Sequence, residues 1–190
     1  MNLSFIADKT FKGIDYTSNH LPKAEYDNCT FIDCDFSKSY LSTISFLECE
    51  FINCNFSSVK LKATTFKDVV FNECKLLGVP FNECNTFLLA MSFIKCQLNL
   101  ASFYNLKLKS TQFKDCKLEK TDFAQADLSQ VQFNNCDLNL AVFENTILEN
   151  TDFRNAFNYS FSAENNRVRG AKFSKDGILG LLSHYNIHIE

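Results

Sequence analysis

An all-β, four-sided solenoid is the fold class this sequence predicts, and three observations predict it. A large apolar residue returns every fifth position from Tyr26 through Phe31, Phe36, Leu41 and Phe46 to Phe81, and again from Phe93 through Leu98 and Phe103 to Phe153. Cysteines recur twenty residues apart, at Cys34, Cys54 and Cys74, at Cys29 and Cys49, and at Cys96, Cys116 and Cys136. Phe supplies 21 of the 190 residues and Trp none. A period of five fits neither a 3.6-residue helix nor a two-residue strand. It requires a chain that turns a corner every five residues and lays one large side chain inward from each wall. Twenty residues then make one circuit of four walls. Self-similarity of this kind marks a solenoid, and repeated flat rings fill its thin core.

The elements follow in order. Residues 1–10 are expected to cap the coil, with Leu3 and Phe5 covering the first open rung, since terminal units otherwise leave unpaired edges. Weak repeats at Phe11, Tyr16, Leu21 and Tyr26 lead into a regular block from Phe31 to Phe81. Phe81 and Phe93 are separated by twelve positions where ten would keep step, so residues 82–92 hold two extra residues. That segment follows Pro80 and is apolar for a turn, with Phe87, Leu88, Leu89 and Met91. It reads either as a bulge in which Phe87 and Leu88 or Leu89 still fill the core, or as a projection that touches a partner. Two residues are short for a projecting loop, which favours the bulge. A second block runs from Phe93 to Phe153, and residues 154–167 form a looser coil, with Asn158 and Ala163 in the slots for large side chains. The phase returns at Val168 and Phe173, which closes the solenoid, residues 1–173.

Residues 174–190 change period. Ile178, Leu181, Leu182 and Tyr185 follow helical spacing, Leu179 widens the apolar face, Ser174 stands at an N-cap and Asp176 in the first turn. A short C-terminal α-helix is therefore expected, one that must dock to be stable. It either caps the last rung or joins a second copy. The Ile187-His188-Ile189 alternation after it suits strand pairing across such a junction.

Nothing in the chain points to catalysis. The nine cysteines all stand two residues before a central slot, where Ala101, Ala126 and Ala141 also occur. There they act as small buried hydrophobes. A straight ladder of parallel thiols suits neither disulfide geometry nor a convergent zinc site. His20, His184 and His188 lie near the ends, and no phosphate loop, HExxH or GxSxG is present. Carboxylate pairs such as Asp33 with Asp35 and Glu48 with Glu50 stand on a convex wall with no cleft to shift their pKa. Neither an enzyme, a cofactor nor a metal is expected. No apolar run reaches membrane-span length and the first residues do not resemble a secretory signal, so a cytoplasmic location is expected.

Charge carries more information. The net charge is −3, yet no Lys or Arg occurs between Lys120 and Arg154, where Asp122, Asp127, Asp137, Glu144, Glu149 and Asp152 all fall. A preference for Asp or Asn before the central residue accounts for the four aspartates but not for the missing bases. About eight coils at roughly 4.8 Å each make a rod near 40 Å long. A slim rod with a negative stripe has the shape and charge sign of a short duplex and suits a basic groove that holds DNA. The same stripe repels phosphate, which disfavours direct nucleic-acid binding.

Segments such as Thr121-Asp122-Phe123-Ala124-Gln125 and Ala126-Asp127-Leu128-Ser129-Gln130 match the A(D/N)LXX consensus. Through them the chain resembles the pentapeptide-repeat family over roughly residues 11–173. The resemblance implies a right-handed quadrilateral β-helix. The stretch Cys74 to Val79, the block Ser102-Phe103-Tyr104 and the ending from Asn158-Tyr159 to Ile187-His188-Ile189-Glu190 are similar to the gyrase-protecting group of that family. That group comprises the albicidin-resistance, microcin B17 immunity and plasmid quinolone-resistance proteins. The resemblance implies a tail-to-tail homodimer built by Ile178, Leu179, Leu181, Leu182 and Tyr185, and DNA gyrase or topoisomerase IV as the partner protected from a poison. The acidic residues from Asp122 to Asp152 would make the groove contact. Quinolone-resistance relatives also project loops from the coil, whereas this chain inserts only two residues, which favours mimicry by rod and charge. A scaffold rod without a topoisomerase partner is the alternative.

Overall fold

The computed structural model describes residues 4–185, 187 and 188. Its chain winds as a parallel β-solenoid with four walls. The first wall holds the sheet β1 (Ser4–Ala7), β3 (Ala24–Asp27), β5 (Ser45–Leu47) and β7 (Thr65–Lys67). The second holds seven strands: β2 (Thr10–Lys12), β4 (Thr30–Ile32), β6 (Glu50–Ile52), β8 (Val69–Asn72), β9 (Met91–Ile94), β10 (Gln112–Lys114) and β11 (Gln132–Asn134). The third and fourth walls pair through single parallel bridges, such as Asp35 with Asn55 and Ser102 with Asp122.

Pairing repeats every twenty residues, as in Phe31 opposite Phe51, and steps once by twenty-two, where Phe71 meets Phe93. The two extra residues are absorbed between these rungs without a break in the second wall. The first-wall sheet, by contrast, ends at β7.

Most corners are turned by a residue in the left-handed region two places after the central side chain, for example Asp33 (φ 54°), Lys38 (φ 57°) and Glu48 (φ 51°). Non-glycine residues resist this region. Here the strain is offset because the corner amide donates to the next rung, Asn28 N to Leu47 O at 3.0 Å and Lys38 N to Ser57 O at 3.0 Å. The Asp or Asn before the central residue accepts the amide two places on, Asp35 from Ser37 at 2.8 Å and Asp127 from Ser129 at 3.0 Å. This Asx turn is why the repeat favours those residues.

Inside, rings stack in columns. The second wall runs Phe11, Phe31, Phe51, Phe71, Phe93, Phe113, Phe133, Phe153 and Phe173, with centroid steps of 4.8 to 5.4 Å. Eight such steps give a straight ladder about 40 Å long. All nine cysteines are free and buried. All but Cys84 are also donors: Cys74 Sγ reaches Phe51 O at 3.3 Å and Cys136 Sγ reaches Phe113 O at 3.3 Å. Thr64 and Thr121 do the same with a hydroxyl, to Leu41 O and Leu98 O, each at 2.9 Å. Cysteine and threonine therefore share one role, donating to the carbonyl of the rung below. Burial pushes the Cys49 thiol up to about 12.

The ends depart from expectation. Residues 4–7 are the first rung rather than a separate cap. Alternation along the strand turns Phe5 outward (63% exposed) and sends Ile6 against the core. Leu3 lies outside the described residues. In the closing coil, Asn158 turns a corner (φ 61°) and the core is filled out of phase by Tyr159 and Phe161, both buried. The C-terminal segment forms short 3-10 turns, Gly177–Leu181 and Ser183–Tyr185, in place of an α-helix. Ser174 Oγ accepts the Gly177 amide at 3.0 Å, as a cap does. The tight turns let two glycines lie on Tyr159: a Cβ at Gly177 would overlap its hydroxyl, and one at Gly180 its carbonyl.

Candidate partner-binding surface

The six acidic residues do not form one stripe. Asp122 and Glu144 lie on the fourth wall and Asp127 and Glu149 on the adjoining first wall, so these four share a corner. Asp137 lies on the third wall, in the bridge series Lys117, Asp137, Phe157, and Asp152 on the second, between Gln132 and Lys172. Two of the six have arginine partners. Arg167 Nη2 holds Glu149 Oε1 at 2.6 Å, and Arg154 Nη2 holds Asp152 Oδ2 at 2.7 Å. Hydrogen bonding from Arg154 keeps the Asp152 carboxyl below its ordinary range.

Asp137 accepts Asn158 Nδ2 at 2.9 Å. Asp122 accepts the Ala124 amide at 2.9 Å, as Asp127 does from Ser129. Among the described residues, Asp122, Asp127 and Glu144 thus form a corner patch with no cation in contact. The gap in basic residues located this patch; Arg154 pairs locally with Asp152 two residues before it, whereas the reach of Arg167 to Glu149 depends on coiling.

The insertion divides between core and surface. Leu89 packs against the core and Met91 is buried, while Phe87 and Leu88 are 72% and 57% exposed. The expected burial of Phe87 does not occur. Asn85 Oδ1 accepts the Phe87 amide at 3.0 Å, and Leu88 takes a left-handed corner (φ 55°) that aims it away from the coil. Hollows of 340 Å³ and 260 Å³ flank Leu89, the first bordered by Asp68 and Lys109, the second by Thr86 and Lys107.

At the C-terminal end, Leu181 packs on the chain's own core and Leu182 is half-buried, whereas Ile178, Leu179 and Tyr185 are exposed. Tyr185 Oη donates to Glu164 Oε1 at 2.7 Å, tying the segment across the closing coil. Ile189 of the expected tail pairing lies outside the described residues. Among the described residues no cluster of His, Cys, Asp and Glu suits a metal ion, and no helix is long and apolar enough to cross a membrane.

A filled, four-walled coil of this kind defines a class of β-solenoids with a five-residue repeat. The chain belongs to the pentapeptide-repeat family. Its sequence matches the family profile "Pentapeptide repeat region" over residues 24–91, 44–113 and 86–161, and its fold is the right-handed quadrilateral β-helix expected from the resemblance.

No curated protein matches the chain in sequence. Among solved structures, it is similar to two trypsin-treated variants of QnrB1, a plasmid-mediated fluoroquinolone resistance protein. One has TM-score 0.56 and 17% identity over 98% of this chain and 100% of that one. The other has TM-score 0.55 and 18% identity over the full length of both. At such identity the likeness is one of fold.

Proposed function

We propose that this chain is a cytoplasmic, non-enzymatic rod that binds DNA gyrase or topoisomerase IV in place of DNA and protects the enzyme from a poison of albicidin, quinolone or microcin type. The observation that carries this reading is the uninterrupted ring ladder, which makes a slim, straight rod about 40 Å long. Asp122, Asp127 and Glu144, none of them in an ion pair among the described residues, lie on two adjoining walls and would face a basic groove. The full-length likeness to a fluoroquinolone resistance protein supports the same reading.

Tail-to-tail pairing through Ile178, Leu179 and Tyr185 would double the rod to about 80 Å and cover apolar surface that is 46%, 49% and 48% exposed. The exposed contacts are the ones that would pair, since Leu181 already faces its own core.

The test is gyrase supercoiling and cleavage-complex formation with albicidin, a quinolone or microcin B17, with and without the protein. Rescue at concentrations that leave supercoiling intact is expected. Changing Asp122, Asp127 and Glu144 together to Lys should abolish rescue while circular dichroism still shows the folded solenoid, its melting temperature lowered by the loss of two Asx turns. Rescue that persists in the triple variant would sink the charge-mimicry reading, and absence of rescue with every poison would sink protection itself.

A further inference from the structure

Charge along the rod changes sign twice. Residues 25–59 hold six carboxylates against Lys38, residues 121–153 hold six carboxylates and no base, and between them residues 60–120 hold ten lysines against five carboxylates. The corner carrying the insertion sits in this basic waist. Lys67, in β7, lies on the last rung before the insertion, and Lys107 and Lys109 border the hollows on either side of Leu89. Among the described residues none of these three lysines is in an ion pair, although Asp68 borders the same hollow as Lys109. Phe87 and Leu88, next to Leu89 in the same insertion, have 72% and 57% of their surface in water. Leu88 does so from a left-handed backbone, which a branched apolar residue adopts at a cost. Neither residue contributes to the core ladder, so coil stability does not explain them.

We propose that this inserted corner is a docking site for an acidic protein segment bearing large apolar side chains. Phe87 and Leu88 would insert as anchors, and Lys67, Lys107 and Lys109 would pair with the flanking carboxylates. Aromatic anchors ringed by charge are how compact interfaces concentrate affinity, and the lysine excess selects the partner's sign. A nucleic acid fits less well. The waist is only about 15 Å long, and a duplex laid along it would meet the acidic thirds at both ends, where phosphate is repelled. The inference does not depend on the topoisomerase reading, because it rests on the inserted corner and its lysines, although Asp127 lies one rung from Lys107 on the same wall.

A random twelve-residue peptide display library, selected on the full chain, tests the proposal. Recovered peptides are then synthesised, labelled and titrated by fluorescence anisotropy. Sequences rich in Asp and Glu around a large apolar residue are expected. Their affinity should fall about tenfold or more with Phe87→Ala and by a similar factor with Lys107→Gln and Lys109→Gln combined, while Lys23→Gln, exposed near the N-terminal end of the coil, leaves binding normal. All these positions are solvent-facing, and an unchanged melting temperature checks the fold. Recovery of no binders, or of neutral or basic peptides, would overturn the proposal. So would binding indifferent to both waist variants, or displacement of the peptides by a 20-base-pair duplex.

Discussion

Between Phe93 and Phe153 every wall slot is filled in phase, whereas the coil from Phe157 to Phe173 gives two of its slots to Asn158 and Ala163. The packing differs accordingly. In the regular block same-wall rings stack at 6° to 25° between planes, but Phe161 meets Phe143 and Phe153 at 47° and Tyr159 meets Phe153 at 50°. The backbone nevertheless keeps its twenty-residue step, with bridges from Asp137 to Phe157, Ile147 to Arg167 and Asp152 to Lys172. Backbone pairing therefore holds the coil even where side chains leave register. Side-chain stacking decides how strongly it resists unfolding.

The largest expected effect breaks the stack itself. Phe113, fully buried between Phe93 and Phe133, should cost about 3–5 kcal/mol as Phe113→Ala, while Phe161→Ala at the tilted end should cost less than about 3. Denaturant titration of both variants checks this, and equal costs would erase the distinction between the regions. Next, Gly180→Val places a side chain on the Tyr159 carbonyl. It should cost about 1–3 kcal/mol and free the 3-10 segment, read as faster tryptic cleavage at Lys175 with the upstream coil intact.

A smaller effect concerns the donor column. Cys116 Sγ donates to Phe93 O at 3.5 Å, so Cys116→Ala should lose up to about 1 kcal/mol. Cys116→Thr should recover part of it, as Thr121 serves the same role. Calorimetric melting separates the two.

Alkali probes the same columns. Burial raises the Cys49 thiol and the Tyr26 phenol in the native state, each to about 12. Their neutral forms favour the fold, so this contribution is whole at neutral pH and is lost as pH climbs past the ordinary thiol and phenol values toward 12. A melting temperature that rises through that window would contradict it. The smallest effect is at the surface: Arg167→Ala removes the partner of Glu149 and should change stability by less than about 1 kcal/mol. It should also tighten any binding that depends on the acidic corner, measured by titration against gyrase.

Much of this was legible in the residues. The period of five named the inward side chains, the twenty-residue Cys spacing named the four walls, and the jump from Phe81 to Phe93 placed the one shift in pairing register. Phe5, Phe87 and Phe161 were misplaced or missed because hydrophobicity says that a ring seeks cover, not which side of a corner it faces. The cysteine column was read as apolar filling because the accepting carbonyl lies on another rung. The sequence by itself determined the coil, since a repeat that buries one residue in five has few other ways to fold. Only the tertiary structure decided which carboxylates keep their charge free, which apolar residues stand outside, and that the C-terminal segment lies on Tyr159 through two glycines. The pairing of Glu149 with Arg167 and the seating of Gly177 and Gly180 on Tyr159 join residues about one turn apart in the chain, and a local pattern carries no record of what will lie above or below it.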